Sequence, residues 1–108
     1  LQFANENSAY TLTDRATWLA QQANLPNLQI VFGGATIADN PDTALYNPYG
    51  VIPVNPEQHP GVNFALATAF AEWITAVETQ QRIGEFGQAQ FGQALFYPGS
   101  AAWQAEQP

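Results

Sequence analysis

Residues 62–78 read VNFALATAFAEWITAVE. Apolar side chains stand at positions 62, 66, 69, 70, 73, 74 and 77, a spacing that gathers them on one stripe of an α-helix. The spacing predicts a helix over 62–77, about 24 Å long at about 1.5 Å per residue. Pro60 suits its first turn, because a proline there forfeits an N–H that has no helical partner anyway. Phe64, Phe70 and Trp73 are read as core rather than as the lining of a ligand pocket. Thr75-Ala76-Val77-Glu78 has the form of a capping box, so a second helix is expected from there to about Phe86. Ile83 and Phe86 are assigned to its buried side, and Gly87 to its C-terminal stop.

Upstream of this helical block the chain is rich in short apolar runs. Residues 28–32 (LQIVF) run into Gly33-Gly34 and read as a buried strand. Residues 8–12 (SAYTL), 44–46, 50–54 and 95–97 are further candidate strands. Thr13 or Asp14 can cap a helix reaching about Ala23, with Trp18 and Leu19 buried, before Leu25-Pro26-Asn27 breaks it. Residues 1–7 fit a helix with Leu1, Phe3 and Ala4 on one face. Residues 35–42 and 55–60 read as loops, and a short helix containing Trp103 follows the Pro98-Gly99 turn. Alternating strands and helices make the class α/β. There are few strands for the helices, which suggests an incomplete lobe of a larger α/β protein.

Composition narrows function. The 108 residues suffice for one ordinary domain, and 46% are hydrophobic, so the chain is not a disordered one. Nine acids face Arg15 and Arg82 with no lysine, giving a net charge of −7. That balance argues against nucleic acid and against anionic membrane surfaces, both of which need a basic face. The absence of cysteine excludes disulfides and thiolate chemistry. No run of apolar residues is long enough to span a bilayer, so no direct membrane insertion is expected. No signal peptide is visible, and the chain reads as a mature segment or an excised domain.

Motifs for catalysis are missing. His59 stands alone between Gln58 and Pro60 and reads as an exposed loop residue. No second histidine or carboxylate-rich loop completes a metal site, and no paired acids suggest acid–base work. Gly33-Gly34 could cradle a phosphate after its strand, or form a simple turn. The chain is therefore expected not to be an enzyme. The stretch 9–17 (AYTLTDRAT) is more informative, with four hydroxyls and a guanidinium at a strand-to-helix junction. A helix N-terminus offers unpaired N–H groups to an anion, and Tyr and Thr hydroxyls add neutral donors. The alternative is that Thr13 or Asp14 merely caps the helix while Arg15 pairs with an acid. Tyr46-Asn47-Pro48-Tyr49-Gly50 could line a cleft or hinge, or cover the edge of a core.

Three strings taken together, 9–17 (AYTLTDRAT), 46–56 (YNPYGVIPVNP) and 95–98 (LFYP), resemble the C-terminal part of the tungstate-binding proteins of ABC importers. The likeness covers about residues 8–98. It implies an incomplete part of a type II periplasmic-binding-protein fold, a mixed sheet with flanking helices. About 1–27 would belong to the second lobe, about 28–55 to crossover strands, and about 56–108 would return to the first lobe. The implied role is the periplasmic or otherwise extracytoplasmic receptor that binds a tetrahedral oxyanion, tungstate or molybdate, without cofactor, and docks on the transporter permease. Reuse of the same fold as a ligand-sensing or assembly module is the alternative. The family's main anion-contacting strings, one rich in Thr and Ser and one of Ser-Arg-Gly-Asp type, are not in this sequence. What carries over is Tyr10, Thr11 and Thr13 as ligand-binding candidates. A lone segment of such a fold would expose strand edges, with swapped homo-oligomers as a consequence.

Overall fold

The computed structural model describes residues 1–108 other than 35, 36 and 41, and the side chain of Ile37; part of the loop expected at 35–42 therefore lies outside the described residues. The described chain forms two compact units, Leu1–Pro48 and Tyr49–Pro108.

The first unit contains α1 (Gln2–Asn7) and α2 (Arg15–Gln21), followed by 3-10 turns at Gln22–Asn24, Ile37–Asp39 and Thr43–Leu45. Ser8 ends α1 in the left-handed region (φ 52°), with its N–H on the Ala4 carbonyl. Asn5 fastens α1 to the chain after α2, its side-chain oxygen accepting from Asn27 N at 2.9 Å. The Asn27 amide returns a bond to the Asn5 carbonyl at 3.1 Å. Ala4, Leu19 and Leu25 are the buried hydrophobic residues here. Leu19 meets its expectation, while Trp18 is half-buried and Phe3 is exposed.

The second unit holds α3 (Phe64–Thr75), α4 (Val77–Glu85), α5 (Gln88–Phe91) and α6 (Ala101–Ala105), with α3, α4 and α6 in mutual contact. Helix α3 begins later than expected. Gly61 turns the chain with φ 95°, and Asn63 caps the helix by accepting from Leu66 N at 3.0 Å, so Pro60 lies outside it. Helix α4 starts at Val77, one residue later than a Thr75 capping box places it, and Thr75 is instead the last residue of α3. Thr75 Oγ1 donates back to the Ala71 carbonyl at 2.7 Å, and Ala76 breaks the helix by adopting an extended conformation. Ser100 caps α6 by accepting from Trp103 N at 3.1 Å.

Two expectations need correction. Among the described residues no strand forms, so the mixed sheet is absent from them; 43–45 is a 3-10 turn instead. A strand exists only as one half of a ladder, and Ile30, Val31 and Phe32 stand exposed without one. The second correction concerns which side of α3 is inside. The half-buried side carries Ala67, Thr68, Ala71, Ile74 and Thr75. Phe64, Phe70 and Trp73, assigned to the core, are 42%, 52% and 57% exposed, and Leu66 of the same expected stripe is 66% exposed. In α4 the buried residues are Thr79 and Gln80; Ile83 is half-buried and Phe86 exposed. The half-buried side is thus small or hydroxylated apart from Ile74, while Leu66, Phe70 and Trp73 are turned outward.

Candidate functional site

The junction before α2 is built by Asp14. Its backbone is extended, and its carboxylate accepts from Thr17 N and from Thr17 Oγ1, both at 2.8 Å. The N–H and then the hydroxyl of Thr17 hold the Asp14 carboxyl below the usual aspartate range, because both bonds favour the ionised form. Asp14 is thus the cap, rather than Thr13, and the Thr17 hydroxyl is committed to it.

Arg15, the first residue of α2, reaches the Gly33-Gly34 turn and donates from Nη2 to the Gly34 carbonyl. Gly33 has φ 90°, and a Cβ on Gly34 would lie 1.9 Å from that of Asp39. Only glycine fits such an approach. Two features read separately in the sequence, the helix start and the glycine pair, are therefore one assembly. The simple-turn reading of Gly33-Gly34 and the cap reading of residue 14 both describe part of it.

Tyr10, Thr11 and Thr13 lie on the irregular stretch entering α2, and all three are exposed, Tyr10 by 89%. Thr11 Oγ1 makes a long bond of 3.4 Å to the neighbouring Leu12 carbonyl. Their hydroxyls face solvent beside a capped helix start, an arrangement able to present neutral donors to a small anion. In the other candidate segment, Tyr46 ends the Thr43–Leu45 turn of the first unit and is exposed. Tyr49 belongs to the second unit, where its ring meets Phe96 edge-on at 6.1 Å.

His59 occupies an exposed turn, its N–H on the Asn55 carbonyl at 3.0 Å, while Asn55 Oδ1 accepts from Glu57 N. Among the described residues no group of three or more His, Asp or Glu side chains comes together to hold a metal ion. Among them, too, no helix is long and apolar enough to cross a membrane.

Two things escaped the sequence reading. The first is the reach of Arg15 to residue 34, which no local pattern encodes. The second is the buried Gln80, which accepts from Gly99 N and Ser100 N and donates to the Ile74 carbonyl. Ser100 before an Ala-Ala-Trp run is a helix-start signature that could have pointed to one end of it.

Residues 1–78 match the PBP superfamily domain. The chain is 43% identical over 101 residues to the tungstate-binding protein TupA of Peptoclostridium acidaminophilum, covering 94% of this chain and 32% of that protein. It is 45% identical over 95 residues to a Haloferax volcanii protein named "Putative ABC transporter anion-binding protein", covering 88% of this chain and 26% of the relative. Identity to the tungstate-binding protein TupA of Campylobacter jejuni is 36% over 89 residues, covering 80% of this chain and 30% of the relative. The chain thus spans about a third or less of the length of these relatives. No solved structure matches it.

Proposed function

We propose, from the fact that this chain belongs to the PBP superfamily, that it forms part of the extracytoplasmic solute-binding component of an ABC importer and that the solute is a tetrahedral oxyanion, tungstate or molybdate. The observation that carries this reading is the identity of 36–45% to relatives named for tungstate or anion binding, sustained over most of the chain.

The chemistry of the chain suits the reading. With a net charge of −7, bulk attraction cannot recruit a dianion. Binding must come from dipoles aimed locally, which cost little reorganisation once held in place. Tyr10, Thr11 and Thr13 supply such hydroxyl donors. Arg15 steadies the junction through Gly34 and adds positive potential close by. In the assembled receptor, residues 1–27 belong to the second lobe, 28–55 to the crossing segments and 56–108 to the first lobe. Closure of the lobes surrounds the oxyanion, and the closed form docks on the permease. A site that pairs every oxygen of one anion penalises another of the wrong size, since a buried donor left unpaired is costly. The chain carries no part in a covalent reaction under this reading.

The test is calorimetric titration of a receptor of the relatives' length in which residues 1–108 replace the matched stretch. Heats for tungstate and molybdate well above those for sulfate are expected. Equal heats for all three, or none, would sink the reading. Residues 1–108 by themselves should bind these anions weakly or not at all.

A further inference from the structure

Helix α2 has seven residues, Arg15–Gln21, too few to hold itself in place by helix formation alone. Its Asp14 cap is local: the bonds to Thr17 set the helix start without tying it to another part of the chain. Further along, the buried Leu19 anchors the middle of α2, and the Asn5–Asn27 bonds anchor the chain beyond it. At the first turn, the bond that reaches outward runs from Arg15 Nη2 to the Gly34 carbonyl, nineteen residues on. That acceptor is itself held. Gly33 has φ 90° and a Cβ on it would lie 3.1 Å from Asn40 Oδ1, while one on Gly34 would lie 1.9 Å from Asp39 Cβ. The carbonyl therefore belongs to a turn folded tightly onto residues 39 and 40. Before the cap, residues 10–13 have no regular structure, and Ala9 N–H is held on the Ala4 carbonyl at 3.0 Å. Tyr10, Thr11 and Thr13 thus hang between two anchors, Ala9 and the start of α2.

We propose that Arg15 is a positioning residue of the oxyanion site: it sets affinity by fixing the start of α2, and with it Tyr10, Thr11 and Thr13, on the Gly34 carbonyl, and not by touching the anion. The inference rests on the proposed function, from which the three hydroxyls take their role. A hydroxyl donates well only within a narrow range of distance and angle, so a shift of the shared anchor weakens all three bonds together. Arginine suits the task because its planar guanidinium holds a donor in a fixed direction at the end of a long stem. The lysine ammonium is a mobile, strongly hydrated point charge and holds a carbonyl less firmly. The two glycines serve the same end, since they let the chain at 33–34 close onto Asp39 and Asn40 and so give Arg15 a fixed acceptor.

The test is a double-mutant cycle in the receptor of the relatives' length, read by calorimetric titration with tungstate. Arg15→Met should weaken binding about tenfold, the worth of one hydrogen bond from a charged donor. Gly34→Ala, which must displace Asp39 and so moves the acceptor, should weaken it by a similar factor. The double variant should bind no more weakly than the weaker single variant, because both changes act through one bond. Arg15→Lys keeps the charge and should still bind at least about threefold more weakly than the parent. Hydrogen exchange in the anion-free receptor gives a readout that needs no Gly34 variant: the amides of residues 10–18 should exchange faster in Arg15→Met. Losses that multiply in the double variant would overturn the proposal, since Arg15 would then act on the anion by itself. Full affinity in Arg15→Lys or unchanged exchange in Arg15→Met would overturn it too, and these two decide if Gly34→Ala does not fold. A parent receptor without tungstate binding would remove the proposed function and this inference with it. A parent that binds, with multiplying losses, would remove this inference alone.

Discussion

The side-chain oxygen of Gln80 accepts from the backbone N–H of Ser100 at 3.1 Å, twenty residues away, and from Gly99 N at 2.8 Å. The Gln80 amide donates to the Ile74 carbonyl at 2.8 Å, and Ser100 Oγ donates to the Thr75 carbonyl at 2.8 Å. One buried glutamine and one helix-capping serine thus tie the end of α3, the first turn of α4 and the start of α6 together. These backbone groups have lost helical partners at chain breaks, and the two side chains supply replacements.

Replacing Gln80 with alanine leaves two N–H groups and a carbonyl without these bonds in a partly dry site. A loss of about 2–4 kcal/mol is expected, more than a single exposed bond contributes. Ser100→Ala removes the cap of α6 and the bond to Thr75 and should cost about 1–2 kcal/mol. Urea unfolding followed by circular dichroism measures both. A Gln80→Ala effect no larger than that of a surface residue such as Gln81→Ala contradicts the clamp.

Gly87 and Gly92 bracket α5, with φ 89° and 72°. A Cβ on Gly87 would lie 2.5 Å from Leu95 Cγ, whereas nothing stands within 4 Å of one on Gly92. Gly92→Ala should cost only the backbone strain, about 1 kcal/mol, and Gly87→Ala more because Leu95 must also move. Thermal midpoints of the two variants rank them, and Gly92→Ala proving the more damaging would refute the packing of Leu95 on this turn.

Helix positions were the most legible part of the sequence, because caps and breaks are local. Asp14 is one of the two caps the sequence offers for α2, whereas Asn63 and Ser100 meet the N–H groups of their helix starts without having been read as caps, and α3 begins later than the expected Val62. Which face of α3 is inside was not legible. Periodicity finds the large apolar stripe, but the half-buried side of α3 is the one carrying Ala67, Ala71 and Ile74, a choice set by tertiary packing and not by local spacing. The strand readings at 28–32 and 50–54 depend on partners for a ladder, and pairing is non-local. At the candidate site, the family strings marked Tyr10, Thr11 and Thr13, while the bond from Arg15 to Gly34 joins residues nineteen apart and has no local signature.

Asp14 supplies a pH dependence whose sign follows from its bonds to Thr17. Its folded pKa lies below the unfolded one. The capping contribution is therefore fully present above the unfolded value, about 4 for aspartate, and fades as pH falls through the folded value. Asp14→Asn should retain most capping, because asparagine also accepts from the N–H, and should remove this component of the acid loss. Asp14→Ala should cost about 1 kcal/mol at neutral pH and much less in strong acid. Urea midpoints at several pH values check this; an Asp14→Ala cost that grows on acidification contradicts the assignment.

The most direct test of the central claim, that this chain contributes neutral donors to an oxyanion receptor, is tungstate titration of the chimeric receptor carrying Tyr10→Phe, Thr11→Val and Thr13→Val. Each lost hydroxyl donor to a charged oxygen is worth about 1.5 kcal/mol or more, roughly tenfold in affinity. The triple variant should thus bind tungstate at least about a hundredfold more weakly than the parent while its circular dichroism stays unchanged. Unchanged affinity in a folded triple variant would show that the residues entering α2 do not touch the anion.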